Sequence, residues 1–340
     1  MTISRRAVLK GLAAVPAAMA VSRYARADAK VIKISHQFPG GTIESGDFRD
    51  RLVRKFAAEV EKRTGGSLKF EIYPGSSLVK TVAQFSTLRK GALDMSLYPL
   101  AYAGGEVPEL NIGLMPCMVT SYEQGFAWKK ADIGRELLKL LDARGVKMVT
   151  WIWQAGGTAS RASAVVEPGD VKGLKIRGGS REMDLMLKEA GGIISSVPSN
   201  EIYPAMQTGS LDAAVTSSTS LISFRLEEIS KALTSGRGKS FWYMLEPLIM
   251  SKSIYDSLTP AQQKAIMDVG LELETFATSS ARVDDEAVVA VYKKAGAKVA
   301  DLDQATIGRW RKIAEAAAWP DFAKRNAECE RFLKMAKAVA

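Results

Sequence analysis

Few residues in this 340-residue chain could do chemistry. There is one histidine, His36, and there are two cysteines, Cys117 and Cys329. Multi-histidine zinc sites, four-cysteine clusters and disulfide frameworks are therefore excluded. A serine–histidine pair would have to use His36, which closes a strand-like run with no Asp, Glu or Cys arrangement beside it. It reads as a structural histidine. Gly238-Lys239-Ser240 ends like a phosphate-binding loop, but Leu233 stands where the earlier glycine is required. The cysteines lie far apart, Cys117 in an apolar stretch, and are expected as buried free thiols. No cofactor and no metal are implied.

What remains is arginine chemistry. Arg177 ends the strand-like run Gly173–Arg177, directly before Gly178-Gly179 and a helix opened by Ser180. Ligands of open α/β sheets bind at the carboxyl ends of strands, where helix N-termini direct their amides. A guanidinium there can grip a carboxylate through two parallel hydrogen bonds. From the residues alone, a surface ion pair is an equal reading.

The elements that must position Arg177 alternate. Val31–His36 reads as a strand, and Asp47–Arg63 as an amphipathic helix with Phe48, Leu52, Phe56 and Val60 on one face, closed by Gly65-Gly66. Ser67–Tyr73 is a half-buried strand, Thr81–Lys90 a helix and Asp94–Tyr98 a strand, which completes a β-α-β-α-β unit. A second such unit starts near residue 147. It runs through strands at Lys147–Gln154, Gly173–Arg177, Ile193–Val197 and Asp212–Thr216, with helices at Ser180–Ala190 and Asn200–Thr208. Both units imply mainly parallel sheets covered by helices. The remainder is mostly helical. Thr259-Pro260-Ala261-Gln262 is a strong helix start, and only Gly270 interrupts the pattern before about Lys294. At ~1.5 Å per residue such a helix would reach ~50 Å, enough to run along both units.

The formal charge of +10 comes from 47 Lys+Arg against 37 Asp+Glu. Half of the excess sits in residues 1–27, where Arg5, Arg6, Lys10, Arg23 and Arg26 meet no acid; without them 42 basic residues face 37 acidic ones. No basic run remains to track phosphates, so nucleic acid is not an expected partner. The same 27 residues form an export signal: a basic start, a short weakly apolar stretch, then Ala25-Arg26-Ala27 with cleavage near Ala27. Arg5-Arg6 followed by Leu9-Lys10 resembles the twin-arginine type. An ordinary secretory signal containing Arg-Arg is the alternative. No later run reaches the ~18 apolar residues of a membrane span, so a soluble exported protein is expected.

Several blocks then occur in order: "EIYPGSSL" at Glu71–Leu78, "LRKGALDMSL" at Leu88–Leu97, "DVKGLKIR" at Asp170–Arg177, "NEIYPAMQTGSLDAA" at Asn200–Ala214 and "LTPAQQKAI" at Leu258–Ile266. Together they resemble the solute-binding proteins of TRAP (tripartite ATP-independent periplasmic) transporters from about Val31 to Gln263. The resemblance implies an α/β, two-lobed periplasmic binding protein fold, with a ligand cleft between lobes and a long helix spanning both. Residues 28–158 with 241–278 would form one lobe and 159–240 with 279–340 the other, with crossings near Trp153–Ala159 and Phe241–Met244. It implies a periplasmic receptor, not an enzyme. Such a receptor, expected as a monomer, captures a small carboxylate and hands it to integral membrane permease subunits. A secreted α/β hydrolase or transferase is the alternative, and it lacks a nucleophile–base pair.

In that family the arginine ending the "KGLKIR" strand holds the substrate carboxylate, a role that falls on Arg177. A second family arginine maps onto Arg161. Sialic-acid-binding members often carry an Asn after an "LDG" turn; here Ala213 replaces that glycine, and Thr216 or Ser217 occupies the neighbourhood. Gln37, Tyr98, Trp153 and Trp242 complete the expected site. Stacking on the two tryptophans would favour an aromatic or otherwise apolar 2-oxo or hydroxy acid over C4-dicarboxylates and sugar acids.

Overall fold

The computed structural model describes residues 29–339, so the export signal and its cleavage site lie outside the described residues. Twelve strands are present: β1 (Lys30–His36), β2 (Leu68–Tyr73), β3 (Met95–Leu97), β4 (Val146–Thr150), β5 (Trp153–Ser160), β6 (Lys175–Arg177), β7 (Ile193–Ile194), β8 (Ala213–Ser217), β9 (Ala232–Ser235), β10 (Tyr243–Leu245), β11 (Leu248–Ser251) and β12 (Lys298–Asp301). They form two sheets. The first has the order β2-β1-β3-β11-β4, with β11 antiparallel to both neighbours. The second has the order β12-β9-β5-β8-β6-β7, with β5 antiparallel to β8 and β9, and β10 pairs with β5.

The helix Phe48–Arg63 follows β1, and the Asp47 side chain caps it by accepting from the Arg49 amide. Phe48, Leu52, Phe56 and Val60 are all buried, as their spacing predicts. The expected helix Thr81–Lys90 divides into a 3-10 turn, Thr81–Ala83, and a short α-helix, Gln84–Arg89. The run Lys147–Gln154, expected as one strand, is split. Its first part ends as β4 in the first sheet, and Trp151–Ile152 carries the chain to β5 in the second. The return crossing is at Glu246–Pro247, between β10 and β11. The expected crossings near Trp153–Ala159 and Phe241–Met244 adjoin the observed ones, and of these stretches Trp153–Ala159 and Tyr243–Met244 are paired strands on the second sheet's side.

The long helix is continuous over Pro260–Lys294, 35 residues, and opens on the expected capping box of Thr259 and Gln262. It contacts the helix Phe48–Arg63 and β4 on one side, and β5, β9 and β12 on the other. Gly270 sits where the helix meets β4: a Cβ there would lie 2.4 Å from the Val149 carbonyl oxygen. The C-terminal helices form a second brace, in which Trp310 Nε1 donates to Val166 O (2.8 Å) and Trp319 Nε1 to Pro116 O (3.0 Å). Cys117 and Cys329 are buried and unpaired, and burial pushes both thiols up to about 12.

Candidate functional site

The two sheets direct the carboxyl ends of their parallel strands toward each other. β1 and β3 pair with His36 opposite Leu97, so Gln37 and Tyr98 stand side by side just beyond the strand ends. In the second sheet β6 and β8 pair with Arg177 opposite Ala214, and Thr216 and Ser217 finish β8. Gln37, Tyr98, Arg177, Thr216 and Ser217 are all buried.

Arg177 is only 1% exposed. It donates from Nε to Val197 O (3.0 Å), from Nη1 to Val215 O (2.7 Å) and from Nη2 to the Tyr102 hydroxyl (2.7 Å), which reaches across from the first unit. Two of the five guanidinium N–H donors are left without a protein acceptor. Among the described residues no carboxylate pairs with it. Gly179 holds φ at 98°, and a Cβ there would lie 2.7 Å from Nη1, so the backbone packs onto the guanidinium only as glycine. Beside it, a 440 Å³ cavity opens between Val82, Ala101 and Tyr102 on one side and Leu185, Val197 and Pro198 on the other. A buried cation is costly without an anion close by, and the part-buried Asp184, which accepts from the Gly178 amide (2.9 Å), meets its charge only at longer range.

A second arginine, absent from the expected set, lies deeper. Arg49 is fully buried, with its guanidinium 3.6 Å above the Phe38 ring centroid. It donates to Asp47 from Nε (2.9 Å) and Nη2 (2.7 Å). Its Nη1 reaches Ser217 Oγ (3.3 Å), Ser220 Oγ (3.1 Å) and Glu246 Oε2 (3.3 Å). Glu246 also accepts from Gln154 Nε2. Burial pushes the Glu246 carboxyl up to about 7 despite the pull of Arg49. Around this junction Gln37 Nε2 and Oε1, Tyr98 OH, Gln154 Oε1 and Glu246 Oε1 are buried without a partner.

The structure does not bring Arg161 to Arg177. β5 runs antiparallel to β8, so its carboxyl end lies at the opposite edge of the sheet. There the Arg161 amide bonds Asp212 O, its side chain lies 4.0 Å from the Asp212 carboxylate, and it is partly exposed. The tryptophans pack against protein groups. Trp153 meets Trp128 edge-on (centroids 5.4 Å apart, 84°) and lies against Gly125. Trp242 lies over Gly156 and donates from Nε1 to Gly178 O (2.9 Å), which fixes the backbone next to Arg177. Ser217 caps the helix Ser218–Ser223 and accepts from Arg49. His36 is a structural residue bonded to Asp50 (3.2 Å).

The match to a family model covers residues 42–325 and is described as bacterial extracellular solute-binding protein, family 7. The chain belongs to this family. A solute-binding protein of Albidiferax ferrireducens is 59% identical over 335 residues, covering 98% of this chain and 99% of the relative. The solved structure of a TRAP periplasmic solute-binding protein from Rhodoferax ferrireducens, with bound malonate, superposes with a TM-score of 0.90 at 62% identity, over 91% of this chain and 98% of that one. The C4-dicarboxylate-binding periplasmic protein of Rhodobacter capsulatus is 26% identical, over 86% of each chain. These relatives are binding proteins, so the hydrolase or transferase alternative falls away and the two-lobed receptor fold stands. Among the described residues no helix is long and apolar enough to cross a membrane, and no group of three His, Cys, Asp or Glu residues could hold a metal.

Two signals in the sequence pointed to the missed residues. Arg49 is a cation in the first turn of a helix, where the dipole disfavours it. Glu246 is the lone acid inside the apolar run Phe241–Met250.

Proposed function

We propose that this receptor captures a small carboxylate between its two lobes, with the carboxylate held by Arg177, and delivers it to a TRAP membrane permease. The observation that carries this reading is a buried guanidinium with free N–H donors and no anionic partner. In this reading the two sheets are the cores of the two lobes, the 1–27 leader exports the chain to the periplasm, and the receptor works as a monomer. Arg161 has no part in binding.

An aromatic ligand was expected because Trp153 and Trp242 were expected to line the site. Both are engaged in packing. The cavity beside Arg177 has mostly apolar walls, and the unpartnered polar atoms stand at the strand ends, on Gln37 and Tyr98, which supports a compact acid with a second polar group, such as a short 2-oxo acid or a dicarboxylate. The malonate bound by the Rhodoferax ferrireducens relative is of that kind.

A thermal-shift screen of malonate, C4-dicarboxylates, short 2-oxo acids, aryl carboxylates and hexuronates tests this. A ligand at ~100 times its dissociation constant adds ~2.7 kcal/mol of stability. Stabilisation by compact acids, recovered chemically unchanged, is the expected result. A response to aryl carboxylates alone would restore the tryptophans to the site, and no response to any carboxylate would remove the reading.

A further inference from the structure

Arg49 is shared unequally between two buried carboxylates. Asp47 takes two of its nitrogens, Nε and Nη2, at 2.9 and 2.7 Å, whereas Glu246 receives only Nη1, at 3.3 Å and in competition with two serines. Glu246 is thus a buried acid with incomplete compensation, linked through Arg49 to Ser217 at the end of β8, the strand whose Val215 carbonyl holds Arg177. Both of its protein contacts fall on Oε2, from Arg49 and from Gln154, and Oε1 has none. A proton on Oε1 would convert a poorly paired carboxylate into a neutral donor aimed at the junction, without breaking either bond to Oε2. Counted as ionised, Arg49 and Arg177 face Asp47, Glu246 and Asp184, so one surplus negative charge is present before a monoanion enters, and neutralising Glu246 relieves part of the excess.

We propose that Glu246 is a specificity-determining residue of the ligand cleft that takes up one proton from solvent on capture and donates it, as a hydrogen bond from Oε1, to a second oxygen acceptor of the ligand. This rests on the carboxylate reading above and narrows it. The favoured ligands are acids whose second polar group accepts, a 2-oxo group or another carboxylate, rather than polyhydroxylated acids. Gln37 and Tyr98, whose polar atoms also lack partners, lie beside the same strand ends and supply further donors. The raised pKa of Glu246, about 7 before any ligand enters, agrees with this geometry. The charged groups that act on it are Asp47 and Arg49 at the start of the first helix; Tyr98 lies on the same side, its amide bonded to the Pro247 carbonyl, and Arg177 stands beyond Ser217, bonded to Val215 O. Asp284 and Asp285 sit behind, where the long helix meets the helix Ser218–Ser223 and Tyr122.

The sign follows from the direction of the shift. A carboxyl raised from 4.5 to about 7 holds its proton more tightly in the folded protein, so its contribution to stability is greatest below pH 4.5 and is lost as pH rises toward 7. Ligand affinity should fall above pH 7 by up to about tenfold per pH unit, the limit for one linked proton.

Calorimetric titration with pyruvate, lactate and malonate, in buffers of different ionisation enthalpy from pH 6 to 8.5, tests the proposal. Pyruvate cannot itself take a proton in this range, and lactate is its hydroxy counterpart. The expected results are uptake approaching one proton with pyruvate and a preference for pyruvate over lactate. In Glu246→Gln both the proton uptake and the fall in affinity with pH should disappear. Free-protein melting curves form a ligand-independent arm, in which wild type should lose stability relative to Glu246→Gln between pH 5 and 8. Binding without proton exchange, or exchange that persists in Glu246→Gln, overturns this inference and leaves the carboxylate reading standing. Identical melting curves for the two proteins overturn it as well. Binding of none of the three acids overturns the proposed ligand class together with the carboxylate reading.

Discussion

Removing Arg49 should be among the most damaging single changes in this molecule. Arg49→Met would keep much of the stem volume over Phe38 but leave Asp47 and Glu246 buried without their cation, at a cost of about 3–5 kcal/mol. Chemical denaturation measures it, and a loss under 1 kcal/mol would show that the cluster is solvated. Arg161→Ala should behave in the opposite way. Its partly exposed contact with Asp212 is worth at most ~1 kcal/mol, and ligand affinity should not change. At this scale the sequence was legible for placement, with Arg177, Gln37 and Tyr98 standing at strand ends as read. It was misleading for Arg161, because nearness in the chain does not reveal that β5 runs against β8 and carries the residue to the far edge.

The regular elements were read from periodicity and caps, and those signals held where the local code is strong. The helix Phe48–Arg63 and the 35-residue helix begin at their capping residues, and the first buries the expected face. The break between β4 and β5 was not legible. Trp151 and Ile152 continue the apolar run with no glycine or proline, and only the pairing partners show that the chain has changed sheets. Gly270 read as a weakness in the long helix, and in the structure it is the contact. Alanine there would gain ~1 kcal/mol of helix propensity, but its Cβ would press on a β4 carbonyl oxygen that belongs to the backbone and cannot rotate away. Gly270→Ala should therefore destabilise the protein, by roughly 1–3 kcal/mol of overpacking strain, in a thermal or urea melt. A stabilised variant would mean that the helix can lift from β4 without cost.

Across the whole molecule, polar contacts span the cleft at several points: Arg49 to Ser217 and Ser220, Tyr102 to Arg177, the Ser199 amide to Tyr102, and Thr81 to Asn200. The short crossings Trp151–Ile152 and Glu246–Pro247, the long helix and the C-terminal helices join the lobes, an arrangement suited to hinge closure on a ligand. Small-angle scattering should show a smaller radius of gyration when ligand is added, and no compaction at saturation would contradict closure. The central claim is narrower: a carboxylate is held by the Arg177 guanidinium. Calorimetry of wild type, Arg177→Ala and Arg177→Lys with the best acid from the screen tests it most directly. Truncation to alanine should cost about 2–5 kcal/mol of binding, much of it from a carboxylate left unpaired in a dry site. Lysine should restore only part, because an ammonium cannot present the planar fork. Wild-type affinity in both variants would contradict the account and make Arg177 a structural residue.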